Sequence, residues 1–142
     1  MKLRQIAPIF ACISVFALPA LPAYADAVLT LDHGAVWQTA KNGQDTQGFL
    51  QIHNTGNAPD TLTSADCTIA ARTSLVDAGG NPLQSLAIPP GQTVTLSSSG
   101  PHLLIQDAHY PVAKNGILPC AFTFTQSGSL IGYLNAVPPP HS

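Results

Sequence analysis

The chain has 142 residues, of which only 8% are charged, and its formal net charge at pH 7 is −2. A chain of this length forms a single small domain with one core. The slightly acidic balance argues against nucleic acid and anionic membrane surfaces as partners, because both require clustered basic residues.

The first 25 residues have the pattern of an export signal. Lys2 and Arg4 give a positive start, residues 6–21 are apolar, and alanines occupy positions 23 and 25, where signal peptidase reads small residues. We therefore predict a signal peptide over residues 1–25 that is removed during export.

A membrane anchor and a lipid anchor are the alternatives to a cleaved signal. Pro8 and Pro19 interrupt the apolar stretch, which leaves too short a run for a span of about 20 residues. Lipid attachment at Cys12 is not expected, because bulky Phe10 lies just before it and the apolar stretch continues past it. We expect no membrane span after signal cleavage.

The rest of the chain predicts β-strands. No helical period of useful length follows residue 26, whereas short alternating runs are bounded by Gly, Pro, Asn and Asp. Near the end of the chain, Phe122 and Phe124 are predicted to share one side of a strand, with Thr123 on the other. The predicted strands cover residues 28–31, 35–38, 48–54, 61–65, 69–76, 83–88, 92–96, 102–106, 117–125 and 129–137.

About eight to ten short strands at this spacing indicate an all-β fold, either an antiparallel sandwich or a Greek-key barrel. We predict one domain over residues 26–137. Residues 138–142 begin with consecutive prolines and predict an extended, mobile tail.

Five stretches match one known family in chain order. Each is short, and the ordered set is more specific than any single stretch. The stretches are AVW at 35–37, GFLQIHNTG at 48–56, DTL at 60–62, IPPGQTVTL at 88–96 and GPHLL at 100–104.

Together these stretches resemble the periplasmic copper chaperones called PCu(A)C, over nearly the whole chain after residue 26. The resemblance implies a cupredoxin-like β-barrel in the periplasm. It also implies copper as the cofactor and a copper-receiving partner, such as an oxidase assembly factor.

The ligands of that family are mostly missing here. Members bind copper(I) with two histidines and two methionines, and the resemblance assigns one of these ligands to His102. Leu104, Val76 and residues 83–86 stand where the others are expected, and the only methionine is Met1. Copper(I) is soft and prefers sulfur ligands with imidazole support. One exposed imidazole therefore predicts copper binding that is weakened or lost.

The period of two along residues 102–106 places Leu103 and Ile105 on one face of the strand. His102 and Leu104 then share the other, more polar face. An apolar residue at position 104 is what a replacement of methionine by leucine would leave.

The two cysteines after the signal, Cys67 and Cys120, predict a disulfide in an oxidising compartment. The alternative is a pair of thiols kept reduced to bind copper(I). A disulfide would withdraw both sulfurs from metal chemistry.

The remaining histidines carry weaker expectations. His53 alternates with Gln51 and is predicted to face solvent, and His33 lies in a predicted turn. His109 follows His102 by seven residues, so the two rings could converge on a metal, since imidazole suits copper(II) and zinc. His141 lies on the tail.

No catalytic motif is present in the sequence. Ser99, His102 and Asp107 have the residue types of a catalytic triad, but no nucleophile elbow surrounds the serine. The chain also has no glutamate, phosphate loop or HExxH motif. We predict that the protein is not an enzyme.

Two functions remain open from the sequence. One is a copper chaperone-like protein with a weak or altered site centred on His102. The other is a protein-interaction module that kept the scaffold, lost the metal and docks a partner through its loops.

Overall fold

The structure, a computed structural model, describes residues 25–140. This part of the chain contains nine strands and no helix. No helix in these residues is long and apolar enough to cross a membrane. The strands are β1 (Leu29–Trp37), β2 (Thr46–Asn54), β3 (Asp60–Cys67), β4 (Ala70–Val76), β5 (Leu86–Ile88), β6 (Thr93–Thr95), β7 (His102–Ala108), β8 (Ile117–Phe124) and β9 (Gly128–Val137).

All nine strands belong to one sheet, in the order β4-β7-β2-β1-β9-β8-β3-β5, with β6 paired to β2. Every pairing is antiparallel except that of β1 with β9, which is parallel. β3 also contacts β4, from the opposite part of the strand order. The sheet therefore curls into a half-barrel, and the predicted all-β fold is confirmed.

Alternation of buried and solvent-facing side chains places the core inside this curl. Along β2 every second residue is buried, including Leu50 and Ile52. Phe122 and Phe124 of β8 are buried and Thr123 is exposed, as predicted. The largest fully buried side chains are Phe122, Phe124, Leu50, Ile52, Leu62, Ile88, Leu96, Leu103, Ile105, Leu134, Val36 and Val76.

The prediction of two separate strands at residues 28–31 and 35–38 is wrong. β1 runs through both, and a register shift between Asp32 and Ala35 forms a bulge. Gly34 lies so close to the backbone carbonyl of Tyr133 that a Cβ could not fit between them. The Asp-His-Gly sequence therefore marks a bulge against β9, where a turn was expected.

The predicted strand at residues 83–88 is shortened to β5. The chain first returns beside β4, where Pro82 pairs with Val76 and the Leu83 amide donates to the Leu75 carbonyl. It then crosses to β3, with which Leu86–Ile88 pairs. The single predicted strand is divided because its two halves have different partners.

A disulfide joins Cys67 of β3 to Cys120 of β8, as predicted from the compartment. Both residues are buried and stand opposite each other in the sheet register. The bond closes a loop with a sequence separation of 53 residues. Since the sulfurs bond each other, the alternative of reduced copper(I)-binding thiols is wrong for this structure.

We expect this disulfide to contribute about 3 kcal/mol to stability, through loss of unfolded-chain entropy. Reduction should lower Tm by about 10 °C in a domain of this size. Calorimetry with and without reductant measures the change. In the Cys67→Ala/Cys120→Ala variant the reductant should have no effect, and a wild-type Tm that reductant leaves unchanged would contradict the expectation.

Asp60, at the start of β3, is a buried carboxylate held by a set of donors. It accepts hydrogen bonds from the amides of Thr61, Gln126 and Ser127 and from the Ser127 hydroxyl, at 2.6–2.9 Å. Burial raises the pKa of Asp60, but these hydrogen bonds outweigh it and hold the pKa below its ordinary value of 3.8. The carboxylate therefore ties the β8–β9 turn to β3.

Replacing this carboxylate by Asp60→Asn should lower the free energy of unfolding by about 2 kcal/mol at pH 7. The folded pKa lies below the unfolded one, so the ionised group stabilises the fold above the unfolded pKa. That contribution disappears as the pH falls through the folded pKa.

Urea unfolding at pH 7 and in strong acid measures both effects of Asp60→Asn. The gap in stability between wild type and variant should close in acid. Asp66→Asn, the same change at an exposed position of β3, is the matched control and should leave stability unchanged within about 0.5 kcal/mol. An equal loss in both variants would contradict the role of Asp60.

Candidate functional site

His102 lies where β4, β7 and β2 meet. It is the first residue of β7, directly after the Gly100-Pro101 turn, and its register partner on β4 is Val76. On the other side, β7 pairs with residues 46–48 of β2. The imidazole is thus fixed at one end of the sheet by two neighbouring strands.

The His102 ring is buried, with 3% of its surface exposed, which corrects the expectation of an exposed imidazole. Its Nδ1–H donates to the Gly100 carbonyl at 2.9 Å, which leaves Nε2 with the free lone pair. The Phe49 ring centroid lies 6.2 Å away, and Trp37 packs edge-on against Phe49 at 5.3 Å. Phe49 thus lies beside the His102 ring, which the sequence alone did not indicate.

The positions assigned to missing family ligands surround this histidine. Val76 stands opposite His102, and Leu104 lies two residues further along β7 on the same face. Leu83 lies beside β4 through its hydrogen bond to Leu75. Leu103 is fully buried and Leu104 only partly so, which agrees with the predicted division of faces.

A carboxylate close to this region is committed to its own turn. Asp77 follows Val76 and accepts hydrogen bonds from the amides of Gly79 and Asn81, each at 2.9 Å. The bond from the Asn81 amide is the main cause that lowers the pKa of Asp77 below its ordinary value. Among the described residues at this site, the His102 imidazole is the one nitrogen ligand suited to a metal ion.

His109 does not join His102. It lies just beyond the other end of β7, exposed, and its amide donates to the Ile69 carbonyl. Seven residues of strand separate the two histidines by about 20 Å. The predicted convergence of their rings on one metal is therefore not found in this structure.

His33 and His53, which no sequence pattern paired, meet at Asp32. Among residues 25–140 they form the one group of three His, Cys, Asp or Glu side chains close enough to share a metal ion. The hydrogen bond from His33 and then that from His53 lower the pKa of Asp32 below its ordinary value. The sequence feature that could have indicated this cluster is Asp-His-Gly, which interrupts an otherwise strand-like run.

The residues considered for a catalytic triad are not assembled. Asp107 is at the opposite end of β7 from His102, and Ser99 approaches Ser97, at 3.4 Å between hydroxyl oxygens. Among the described residues, neither Ser99 nor Asp107 forms a hydrogen bond with the His102 ring.

Comparison with known proteins identifies the class of the domain. A profile described as "Putative lipoprotein LpqE-like" matches residues 29–131. Because the match covers more than half of the chain, the protein belongs to this LpqE-like family. No curated protein matches. A lipoprotein carries its lipid on a cysteine near the N-terminus, and the cysteine in that position here is Cys12. Cys12 and most of the predicted signal lie outside the described residues. The expectation that Cys12 is not lipidated therefore stays a prediction.

Solved structures of PCuAC domains share the fold. The apo PCuAC domain from PmoF1 is 22% identical, with a TM-score of 0.71 over 80% of this chain and 98% of that one. The copper-bound PCuAC domain from PmoF2 is 16% identical, with a TM-score of 0.71 over 82% and 97%. Copper(I)-bound DR1885 from Deinococcus radiodurans is 19% identical, with a TM-score of 0.61 over 80% of each chain.

These comparisons confirm the predicted resemblance to PCu(A)C proteins and the cupredoxin-like β fold.

Proposed function

We propose that the protein is an exported copper chaperone-like protein whose copper(I) site at His102 is weakened. The observation that supports this is the register of β4 and β7, which puts Val76 opposite His102 and Leu104 on the same face. Among the described residues at the positions that the resemblance assigns to copper, His102 supplies the one imidazole and no side chain supplies a sulfur ligand.

The chemistry of copper(I) explains why this loss matters. The ion prefers thioether and thiolate sulfur, and neither valine nor leucine offers a lone pair. The sulfurs of Cys67 and Cys120 are bonded to each other, on strands that do not pair with β7. Copper(I) would therefore have His102 Nε2 as its one imidazole ligand at this position, and the burial of that residue limits access to it, which weakens the site further.

The proposal includes export and delivery. Residues 1–25 would direct the chain to the periplasm and be removed there, which leaves a domain over residues 26–137 and a short tail. The copper-receiving partner would be a periplasmic protein such as an oxidase assembly factor. A site with few protein ligands suits transfer, because the partner can complete the coordination of the ion.

A competition titration with a copper(I) chelator tests the His102 site. We expect weak binding by the wild-type domain and at least a tenfold loss in His102→Ala. His109→Ala, at the opposite end of β7, is the matched control and should bind as wild type does. Tight wild-type binding, or binding that His102→Ala leaves unchanged, would overturn the proposal.

Restoring the missing donors tests the same site in the opposite direction. Val76→His with Leu104→Met should raise copper(I) affinity at least tenfold, because both side chains would join His102 at the strand pair. Val76 is buried, so the larger imidazole is expected to cost about 1–3 kcal/mol of stability. Val76→Leu/Leu104→Ile controls for repacking alone, and a folded Val76→His/Leu104→Met variant without gain in affinity would contradict the proposed position.

An exposed apolar face supports the second candidate, a protein-interaction module. On the outer side of β8 and β9, Ile117, Ile131 and Tyr133 are each more than half exposed, and Pro119 pairs with Tyr133 between them. Adjacent apolar side chains on a sheet surface favour contact with an apolar surface of another protein. This candidate docks through a sheet face, whereas the sequence suggested loops.

Site-specific photo-crosslinking in the exporting cell separates this candidate from the first. A crosslinker at Ile131 should give one defined adduct that Tyr133→Asp abolishes, and a crosslinker at exposed Asp66 on β3 should give none. Equal labelling from both positions would contradict docking at the β8–β9 face.

A further inference from the structure

We propose that Asp32, His33 and His53 form a second metal site that binds a divalent ion, with Cu²⁺ held most tightly and Zn²⁺ less so. The site uses none of the residues around His102 and goes beyond the proposed copper(I) function. One ligand atom from each residue, an imidazole nitrogen of each histidine and a carboxylate oxygen of Asp32, lies within 4.8 Å of the other two.

The bulge in β1 assembles these donors. In a regular strand His33 would point to the face opposite Asp32. The backbone of His33 instead has a φ of 52°, a left-handed conformation that is uncommon for a residue with a side chain. Since Gly34 is packed against the backbone at Tyr133, the bulge is held in place and His33 Nδ1 comes within 2.8 Å of Asp32 Oδ1.

The pairing of β1 with β2 supplies the third donor. Asp32 stands opposite Gln51, and Thr30 stands opposite His53. The His53 side chain is directed along the strand toward Asp32, and its Nε2 lies 2.7 Å from Asp32 Oδ1. Without metal, both imidazoles donate an N–H to the same carboxylate oxygen. A metal ion would replace these two hydrogen bonds, at about 2.0–2.2 Å from each donor atom.

The proton balance of this exchange is simple. Each neutral imidazole carries one N–H, which moves to the ring nitrogen that does not bind the metal. For His53 that nitrogen is Nδ1, which lies 2.7 Å from the Thr93 hydroxyl oxygen. The hydroxyl can donate to Nδ1 before metal binding and accept from it afterwards.

Thr93 therefore orients the His53 ring in both states. It reaches the ring because β6 pairs with β2, with Thr93 in register with His53. A hydrogen-bond partner on the second ring nitrogen is a regular feature of metal-binding histidines.

The site is open to solvent. The exposed fractions of the side chains are 71% for His33, 42% for Asp32 and 28% for His53. A groove of about 440 Å³ lies beside them, lined by Thr30, Thr55 and Gly91 among others. Water or a side chain from another protein could fill the remaining coordination positions, so the bound ion would be exchangeable.

The donor set selects the ion. Two imidazoles and a carboxylate suit Cu²⁺ and Zn²⁺, whereas a site without sulfur is poor for copper(I). Among the divalent first-row metals Cu²⁺ binds most tightly to a given nitrogen and oxygen site. The proposed ion therefore differs in oxidation state from the ion proposed at His102.

A titration with Cu²⁺ and with Zn²⁺, each against a competing chelator, tests the site. The domain carries no tag, and its N-terminus is acetylated to block metal binding at the α-amine. We expect one equivalent of Cu²⁺, bound at least tenfold more tightly than Zn²⁺. His33→Ala and His53→Ala should each weaken Cu²⁺ binding at least tenfold, and Thr93→Val should weaken it to a lesser extent. His109→Ala, an exposed histidine elsewhere, is the matched control.

Electron paramagnetic resonance of the Cu²⁺ protein gives a readout independent of affinity. The spectrum should carry coupling to two imidazole nitrogens, reduced to one in His33→Ala and in His53→Ala. Circular dichroism verifies that each variant is folded. Equal Cu²⁺ affinity in wild type and in the His33→Ala/His53→Ala variant, or loss of binding in His109→Ala, would overturn the site whatever the copper(I) result at His102.

Discussion

The register of the sheet is the constraint on which both candidate metal sites depend. Because buried and outward side chains alternate along β2, a slip of one residue would turn Leu50 and Ile52 out of the core and Phe49 and His53 into it. Burial of the core thereby fixes which side chains share the outer face. The contact of His102 with Phe49 and that of His53 with Asp32 therefore follow from how the core side of the sheet packs.

Features that arise from strand alternation could be predicted from the sequence. The strand character, the buried side of Phe122 and Phe124, and the split between Leu103 and Leu104 all depend on a period of two, which is visible in one chain. The disulfide was predictable from the two cysteines that follow the predicted signal, given the expectation of an oxidising compartment.

Features that could not be predicted depend on contacts between distant segments. The bulge at His33 exists because Gly34 packs against β9, about a hundred residues later in the chain. His102 has the Phe49 ring of β2 beside it, and Trp37 of β1 packs on that ring, so the surroundings of His102 come from two other strands. A turn and a bulge share the same local residue types, so Asp-His-Gly alone did not distinguish them.

The two proposed sites lie at different places on the sheet and favour different metal ions. Four residues of β2 separate Phe49, beside His102, from His53, a distance of about 13 Å. The metal-competent group at Asp32 does not include His102. One end offers a buried imidazole among aromatic and aliphatic groups, and the other an open pair of imidazoles with a carboxylate. The same scaffold can hold both because none of the proposed ligands, His102, Asp32, His33 and His53, belongs to the hydrophobic core cluster.

The parallel pairing of β1 with β9 has a consequence for assembly. These strands are the first and last of the domain, yet they are neighbours in the middle of the strand order. A chain that is made from its amino end cannot complete the middle of this sheet until its last strand is available. The topology therefore delays closure of the core until β9 has been made.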